Sequence, residues 1–261
     1  MESEATLRLG IFLSLLVVII LLEKLLPRRN DISRKRWASN LSIVVIDVVT
    51  VRVLLPAGAV GAAFFSQVNG YGLFNIWLTD TTAGLIAAFF LLDLAIYFQH
   101  RIFHAVPLLW RLHRVHHSDI GFDVTTALRF HPLEILLSLL IKMSLIVILG
   151  APIISVIIFE IVLNGAAMFN HANMNITKGL DRLLRLFVVT PDMHRIHHSV
   201  HNKETNSNFG FNIPWWDRLF GTYTDQPRDG HDEMLIGLAE FRQQPDQRLD
   251  KLLVQPFRKT V

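Results

Sequence analysis

The sequence contains no cysteine. Disulfides, zinc–thiolate sites and iron–sulfur clusters are therefore excluded, and any metal must be held by nitrogen and oxygen. Charge is scarce as well: Asp, Glu, Lys and Arg make up 18% of the 261 residues, against roughly 25% in a soluble domain. The formal net charge is only +3, and the positive residues sit in short tracts, so a nucleic-acid partner is not suggested. There is no repeat of fixed period, no low-complexity segment and no clear interdomain linker.

Apolar residues are plentiful, at 51% of the chain with a mean hydropathy of +0.39. They fall into long runs. Residues 9–22 are almost purely apolar, and the leading segment carries Glu2 and Glu4. That acidic start, with Pro27, Arg28 and Arg29 in place of a small-residue cleavage site, predicts a retained membrane helix rather than a signal peptide. Residues 41–65 form a second run, interrupted by Asp47, Arg52 and Pro56; the proline predicts a kink or an end there. Residues 83–98 form a third run, with Asp93 inside it, and lead directly into His100. Residues 133–169 are divided by Gly150, Ala151 and Pro152, as in a helical hairpin or a pair of half-depth helices. The expectation is an all-α, polytopic membrane protein with about four transmembrane helices, the last two as a hairpin, and a helical cap bearing the histidines. Three segments are expected: N-terminal membrane helices (1–82), a catalytic domain (83–223) and a polar C-terminal tail (224–261).

Orientation follows from Lys and Arg. The stretch 28–36 carries Arg28, Arg29, Arg34, Lys35 and Arg36, whereas 66–82 has neither Lys nor Arg and one acid, Asp80. The first stretch is thus expected on the cytoplasmic side. The third helix then returns to that side, and every histidine tract follows on the same face, as one shared site requires.

Three tracts hold eight of the twelve histidines. They are His100/His104, His113/His116/His117 and His194/His197/His198. Residues three and four apart share a helix face, so each tract presents two or three imidazoles together. A tetrahedral zinc site uses four ligands, and octahedral catalytic iron keeps positions open. Eight or more imidazoles therefore point to two metals. Imidazole suits iron, zinc, copper and nickel alike, so ligand type alone does not choose among them. Soluble di-iron bundles use a Glu-rich pattern that is missing here. A pH-sensitive surface patch would explain one tract, but not two copies of His-Arg-(Val/Ile)-His-His.

Of the other histidines, His171 closes the apolar hairpin on the side of the tracts and is expected as a ninth ligand. His131, before Pro132 at the hairpin entry, is a possible ligand or a group that holds one, and Asn173 is placed with it. His201 and His231 lie in polar stretches and are expected to be solvated. Asp93 stands seven residues before His100 on the same face. An acid in an apolar helix usually has a partner, and a ligating imidazole gives its second N–H to such a group. Glu134 and Asp192 rank below Asp93 for that role. Arg101, Arg114 and Arg195 are expected to face headgroups or carboxylates.

These residues resemble the fatty acid hydroxylase / sterol desaturase superfamily, whose pattern is His-x(3–4)-His, His-x-x-His-His and, after a membrane hairpin, His-x-x-His-His again. Asp93 and Tyr97 look like the family's lead-in. Thr126-Ala127-Leu128-Arg129, Thr190-Pro191 and the segment from Trp216-Asp217 to Thr222 follow relatives too. Order and spacing are most similar to the alkylglycerol monooxygenase branch, which uses a pterin and has a counterpart of His171 but not of His131. The resemblance implies two iron ions, held by His100, His104, His113, His116, His117, His171, His194, His197 and His198, using O₂ on a C–H bond of a fatty acyl chain, sterol or ether lipid, by hydroxylation or desaturation. No cytochrome b5-like, flavin or ferredoxin module is visible, so electrons are expected from a separate donor: reduced pterin, ferredoxin or a cytochrome b5-type protein. The rival readings are a membrane metal-binding or metal-transport protein, which would want ionisable residues along the membrane interior, and a bis-histidine haem carrier, which would not need vicinal histidines.

Overall fold

The computed structural model describes residues 2–30, 33–78 and 81–259. Asp80, the single acid expected in the loop before the third run, lies outside them. The chain is helical. It opens with α1 (Glu2–Leu25), α2 (Trp37–Leu54), α3 (Gly58–Val68) and a short α4 (Leu73–Trp77). Then come α5 (Thr82–Ala105), α6 (Pro107–His117), α7 (Pro132–Leu149) and α8 (Ile153–Asn170). Two short helices, α9 (Lys178–Leu184) and α10 (Pro191–His197), follow.

Local chemistry sets these bounds. α2 stops at Leu54, ahead of Pro56. α5 stops at Ala105, because Val106 precedes Pro107 and is extended (φ −94°, ψ 116°), as a residue before proline prefers. α7 ends on Gly150 in the left-handed region (φ 66°), and Pro152 starts the returning arm, so the hairpin turn sits where the sequence placed it. Gly72, also left-handed (φ 94°), touches this turn: a Cβ there would lie 2.1 Å from the Gly150 nitrogen. The far ends of α3 and of the hairpin therefore meet closely.

Among the described residues, five stretches are long and apolar enough to cross a membrane: Thr6–Leu25, Arg34–Trp77, Thr82–Ala105, Pro132–Leu149 and Ile153–Asn170. About four were expected, the last two as a hairpin, and both hairpin arms reach 18 residues. The packing is inverted relative to a soluble bundle. On α2, Val45 and Val53 are 61% and 70% exposed, while Asn40 and Asp47 are buried. On α8, Glu160 is buried and bonded to Arg8 at 2.8 Å and to Lys142. Apolar side chains facing out and paired polar ones facing in are what a lipid solvent selects. The chain is an integral membrane protein.

Two apolar clusters order the bundle. One joins α3, α4, α5, α7 and α8 through Ala63, Phe74, Ala88, Ile146 and Phe159. The other joins α1 to the end of α8 through Ile19 and Met168, with Val124 and Ala172. At the end opposite the hairpin turn, the basic stretch docks on the histidine region. Asn173 Oδ1 accepts the Arg29 N–H at 3.0 Å, and Arg36 donates to Asp119 at 2.8 Å and to Asp123. The segment after residue 224 packs against this end as well. Leu252 is fully buried, Arg114 donates to the Gln255 and Arg258 carbonyls, and Gln247 accepts from Arg129 at 2.7 Å.

Candidate metal centre

Four pieces of chain converge at that end. α5 delivers His100 and His104 on its last turns, and α6 delivers His113, His116 and His117 on its last turn. His171 is the C-cap of α8. α10 carries His194 and His197, with His198 as its C-cap; Thr190 starts that helix by accepting the Met193 N–H at 3.3 Å. All the tracts, and His171 with them, thus meet at one end of the bundle.

Their ring nitrogens form two groups, each within 4.8 Å: His100, His104, His113, His117 and His197 in one, His116, His171, His194 and His198 in the other. The groups adjoin, with the His117 and His198 rings stacked at 4.5 Å. Eight of these nine rings are buried, and His104 is half-buried.

The outward ring nitrogens show which way the lone pairs point. His100 Nδ1 donates to the Phe209 carbonyl at 2.9 Å, His197 Nδ1 to the Ser207 carbonyl at 2.7 Å and His113 Nδ1 to Glu134 at 2.6 Å. A backbone carbonyl can only accept, so His100 and His197 carry their protons on Nδ1 and bare lone pairs on Nε2; an ionised Glu134 sets the same tautomer in His113. Yet His100 Nε2 lies 3.1 Å from His113 Nε2 and 3.0 Å from His197 Nε2. Lone pairs so placed repel unless a cation stands between them. In the second group, His171 Nδ1 donates to the Ala167 carbonyl at 2.7 Å, and its Nε2 faces those of His116, His194 and His198 at 3.1, 3.2 and 3.2 Å. Two nitrogens about 2.1 Å from one ion, at right angles, lie about 3.0 Å apart. The donor set fits a metal in each group.

Protons do not compete for these sites at neutral pH. Burial pushes His113 and His171 down to about 3. Burial, and then the neighbouring imidazoles, hold His116, His117, His194 and His198 well below the usual histidine range. Neutral imidazole is the form that binds metal. Beneath the centre, burial opposes ionisation of Asp119, but Arg36 and Arg129 hold its carboxyl below the usual range. Phe130 stacks on His116 at 4.4 Å, and Trp110 lies 4.8 Å from His104.

Three expected residues lie elsewhere. Asp93 bonds no imidazole: its oxygens accept from Asn212 at 2.8 Å and from Trp216 Nε1 at 2.7 Å. It anchors the segment that carries the Phe209 carbonyl. His131 is in neither group. It caps α7, accepting the Leu133 N–H on Nδ1 at 3.2 Å and donating from Nε2 to the Leu253 carbonyl at 3.1 Å, so both its nitrogens are used. Asn173 bonds the Arg29 backbone through both ends of its amide. Glu134, ranked below Asp93, is the carboxylate that takes an imidazole proton. Asp192 pairs with the fully buried Arg195. His201 bonds Asp229 at 2.6 Å and is partly exposed, whereas His231 is buried rather than solvated, because the 230–233 helix that carries it turns it toward Asp192. The Ser207, Phe209 and Ala167 carbonyls had no side-chain signal. Only Asp217, which accepts the Phe209 and Gly210 N–H groups at 2.8 and 2.7 Å, marked that loop in the sequence.

The fatty acid hydroxylase family matches residues 85–222, a span that holds all nine histidines. An ornithine lipid hydroxylase of Rhizobium tropici is 28% identical over 230 residues, 84% of this chain and 67% of its own length. The human alkylglycerol monooxygenase is 29% identical over 165 residues, 59% of this chain and 34% of its own. The Caenorhabditis elegans alkylglycerol monooxygenase is 28% identical over 211 residues, 78% and 39%. The chain thus spans about a third of the monooxygenases' length. No solved structure matches it. With its tracts, their order and their spacing all inside the matched region, the chain belongs to the fatty acid hydroxylase family.

Proposed function

We propose that this chain is an O₂-dependent lipid hydroxylase whose centre is two irons, one in each histidine group. The observation that carries this reading is the convergence of nine imidazole Nε2 atoms into two adjoining groups at one end of a membrane helix bundle. The names of the relatives, hydroxylase and monooxygenase, favour hydroxylation over desaturation. In the overall reaction one atom of O₂ enters a C–H bond and the other leaves as water. Two electrons and two protons come from a separate donor of the pterin, ferredoxin or cytochrome b5 class. When bound, the irons supply the redox chemistry that makes O₂ reactive toward an unactivated C–H bond.

The chain's own residues do the rest. The Phe209, Ser207 and Ala167 carbonyls and Glu134 hold four imidazoles in the tautomer that leaves Nε2 free. Burial keeps the imidazoles neutral and limits water. The exposed apolar faces of the spans, such as Leu13 and Val17 on α1 and Ile148 on α7, keep the bundle in lipid, so a lipid substrate would approach the site from within the membrane.

The test is iron content and lipid oxidation after His116→Ala and His197→Ala, one in each group. Both variants should lose iron and form no hydroxylated lipid. Full activity with unchanged iron in both would sink the proposal. The cytoplasmic placement of the centre rests on Lys and Arg distribution. The chain has no cysteine to interfere, so Lys203→Cys, exposed at the histidine end, should react only with a reagent that reaches the cytoplasm; labelling from the outside would reverse the orientation.

A further inference from the structure

The histidine end carries a cavity that the centre does not use, of about 210 Å³, walled by the end of α1 and the stretch leading into α2. Three of its lining residues are cations: Lys24, Arg29 and Arg34. Two are acids, and both are already committed to the protein. Glu23 Oε1 accepts the Val124 and Asn173 N–H groups, each at 2.8 Å. Asp123 Oδ2 accepts Trp37 Nε1 at 2.9 Å and is neutralised by Arg36. Among the described residues, the cavity lining thus carries more positive than negative charge.

Two of its three cations are held in place rather than loose. The Arg29 backbone is clamped by both ends of the Asn173 amide, at 3.0 and 2.8 Å, and its guanidinium donates to the Met234 carbonyl at 2.9 Å. The Arg34 guanidinium lies over the Trp37 ring, 5.3 Å from its centre. Among the described residues, neither Lys24 nor Arg34 has an anionic partner, and both are exposed. The depth is specific too. The cavity opens where the apolar run of α1 ends, beside a tryptophan at the head of α2, which is the level of lipid headgroups. The same wall serves the centre: Asn173 follows His171 by two residues, and Arg36 ties Asp123 to Asp119, two residues past His117.

Three cations around a space open to the membrane surface suit an oxyanion that offers oxygens in several directions, and phosphate does so. We propose that this cavity is a binding site for a phosphoryl group, and that an anionic phospholipid supplies it, seated with its headgroup over Lys24, Arg29 and Arg34. That the seated lipid is also the one oxidised rests on the function proposed above; the binding itself does not.

The test uses the full chain, iron-loaded and stripped of lipid in a neutral detergent. Short-chain phosphatidylglycerol, diacylglycerol and inorganic phosphate are titrated separately, with occupancy read by native mass spectrometry. Phosphatidylglycerol should bind, diacylglycerol should not, and inorganic phosphate should bind at least tenfold more weakly than the lipid. The double variant Lys24→Glu/Arg34→Glu should lose at least tenfold in phosphatidylglycerol affinity with its iron content unchanged, and Lys24→Arg/Arg34→Lys should restore binding. If charge reversal prevents folding, Lys24→Gln/Arg34→Gln gives the same comparison. Unchanged affinity in the charge-altered chain would overturn the site, and inorganic phosphate binding as tightly as the lipid would overturn the lipid as its source. Since no turnover is needed, a chain that binds the lipid normally yet oxidises nothing would refute the hydroxylase reading and leave the cavity assignment standing.

Discussion

Glu134 accepts the Nδ1–H of His113 at 2.6 Å from the first turn of α7, a helix whose N-cap is itself a histidine, His131. The carboxylate fixes the tautomer of His113 and makes its Nε2 a better donor to a metal. Glu134→Ala should therefore weaken iron binding about 10- to 100-fold, and Glu134→Gln less, since its amide oxygen can still accept the proton. Iron per chain against free iron concentration measures this. Equal affinity in wild type and Glu134→Ala would mean that the contact is only packing.

His131 should behave in the opposite way. Both its ring nitrogens are taken by backbone groups, the Leu133 N–H and the Leu253 carbonyl, and none is left for a metal. His131→Ala should keep its iron and lose stability, by about 1 kcal/mol for the cap alone. His131→Asn should recover much of that, because asparagine caps well. Iron analysis and thermal unfolding in detergent separate the two effects; a fall in iron with unchanged unfolding temperature would make His131 a ligand after all.

Asp217 gives the centre a pH dependence of its own. Burial lifts its carboxyl to about 6, against the hydrogen bonds from Thr222, Gly210 and Phe209. Protonation removes acceptors from the loop whose Ser207 and Phe209 carbonyls orient His197 and His100. Activity should thus fall as pH drops through about 6, with Asp217→Asn low and flat across that range. Stability should move the other way. A carboxyl whose pKa is raised in the folded chain binds its proton more tightly there than when unfolded. Its contribution to stability therefore grows as pH falls from about 6 toward 3.8, by on the order of 3 kcal/mol, and is lost as pH rises again. Activity lost in acid without unfolding is the signature, read from paired rate and melting profiles; a wild-type rate that is flat from pH 7 to 5 would count against it.

The contrast between Asp93 and Glu134 shows what the sequence could and could not reveal. The histidine tracts were legible because spacing on a helix decides which side chains share a face. The hairpin turn was legible because Gly150 and Pro152 stop and start helices in their own right. Asp93 was expected to hold an imidazole since it lies on the face of His100. Seven residues are also about 10.5 Å of rise along the axis, too far for a short carboxylate, so it bonds Asn212 and Trp216 instead. Glu134 carried no such periodic signal. It reaches His113 because α6 and the start of α7 pack together, a tertiary fact. The Ser207, Phe209 and Ala167 carbonyls are backbone atoms, so no residue type announces them. His131 and His171 look alike in sequence, each at one end of the hairpin. They differ because the first turns both its nitrogens to backbone and the second points Nε2 at His116, His194 and His198.

The two groups of imidazoles should lose metal one ion at a time. His100, His104, His113, His117 and His197 share one set of facing Nε2 atoms, and His116, His171, His194 and His198 share the other. If each set holds one ion, the loaded chain carries two irons, and His194→Ala removes one while leaving the other. His104→Ala does the converse. Either loss should abolish lipid oxidation, since both irons belong to one centre. Removing all metal should also lower the unfolding temperature, because the close lone pairs of His100, His113 and His197 then face one another with no cation between, and returning iron should restore it. Iron counted per chain in the wild type and in the two variants tests the partition directly. Two irons falling to one in each variant is the expected result; a single iron in the wild type, lost whole in both variants, would show that the nine imidazoles form one site and not two.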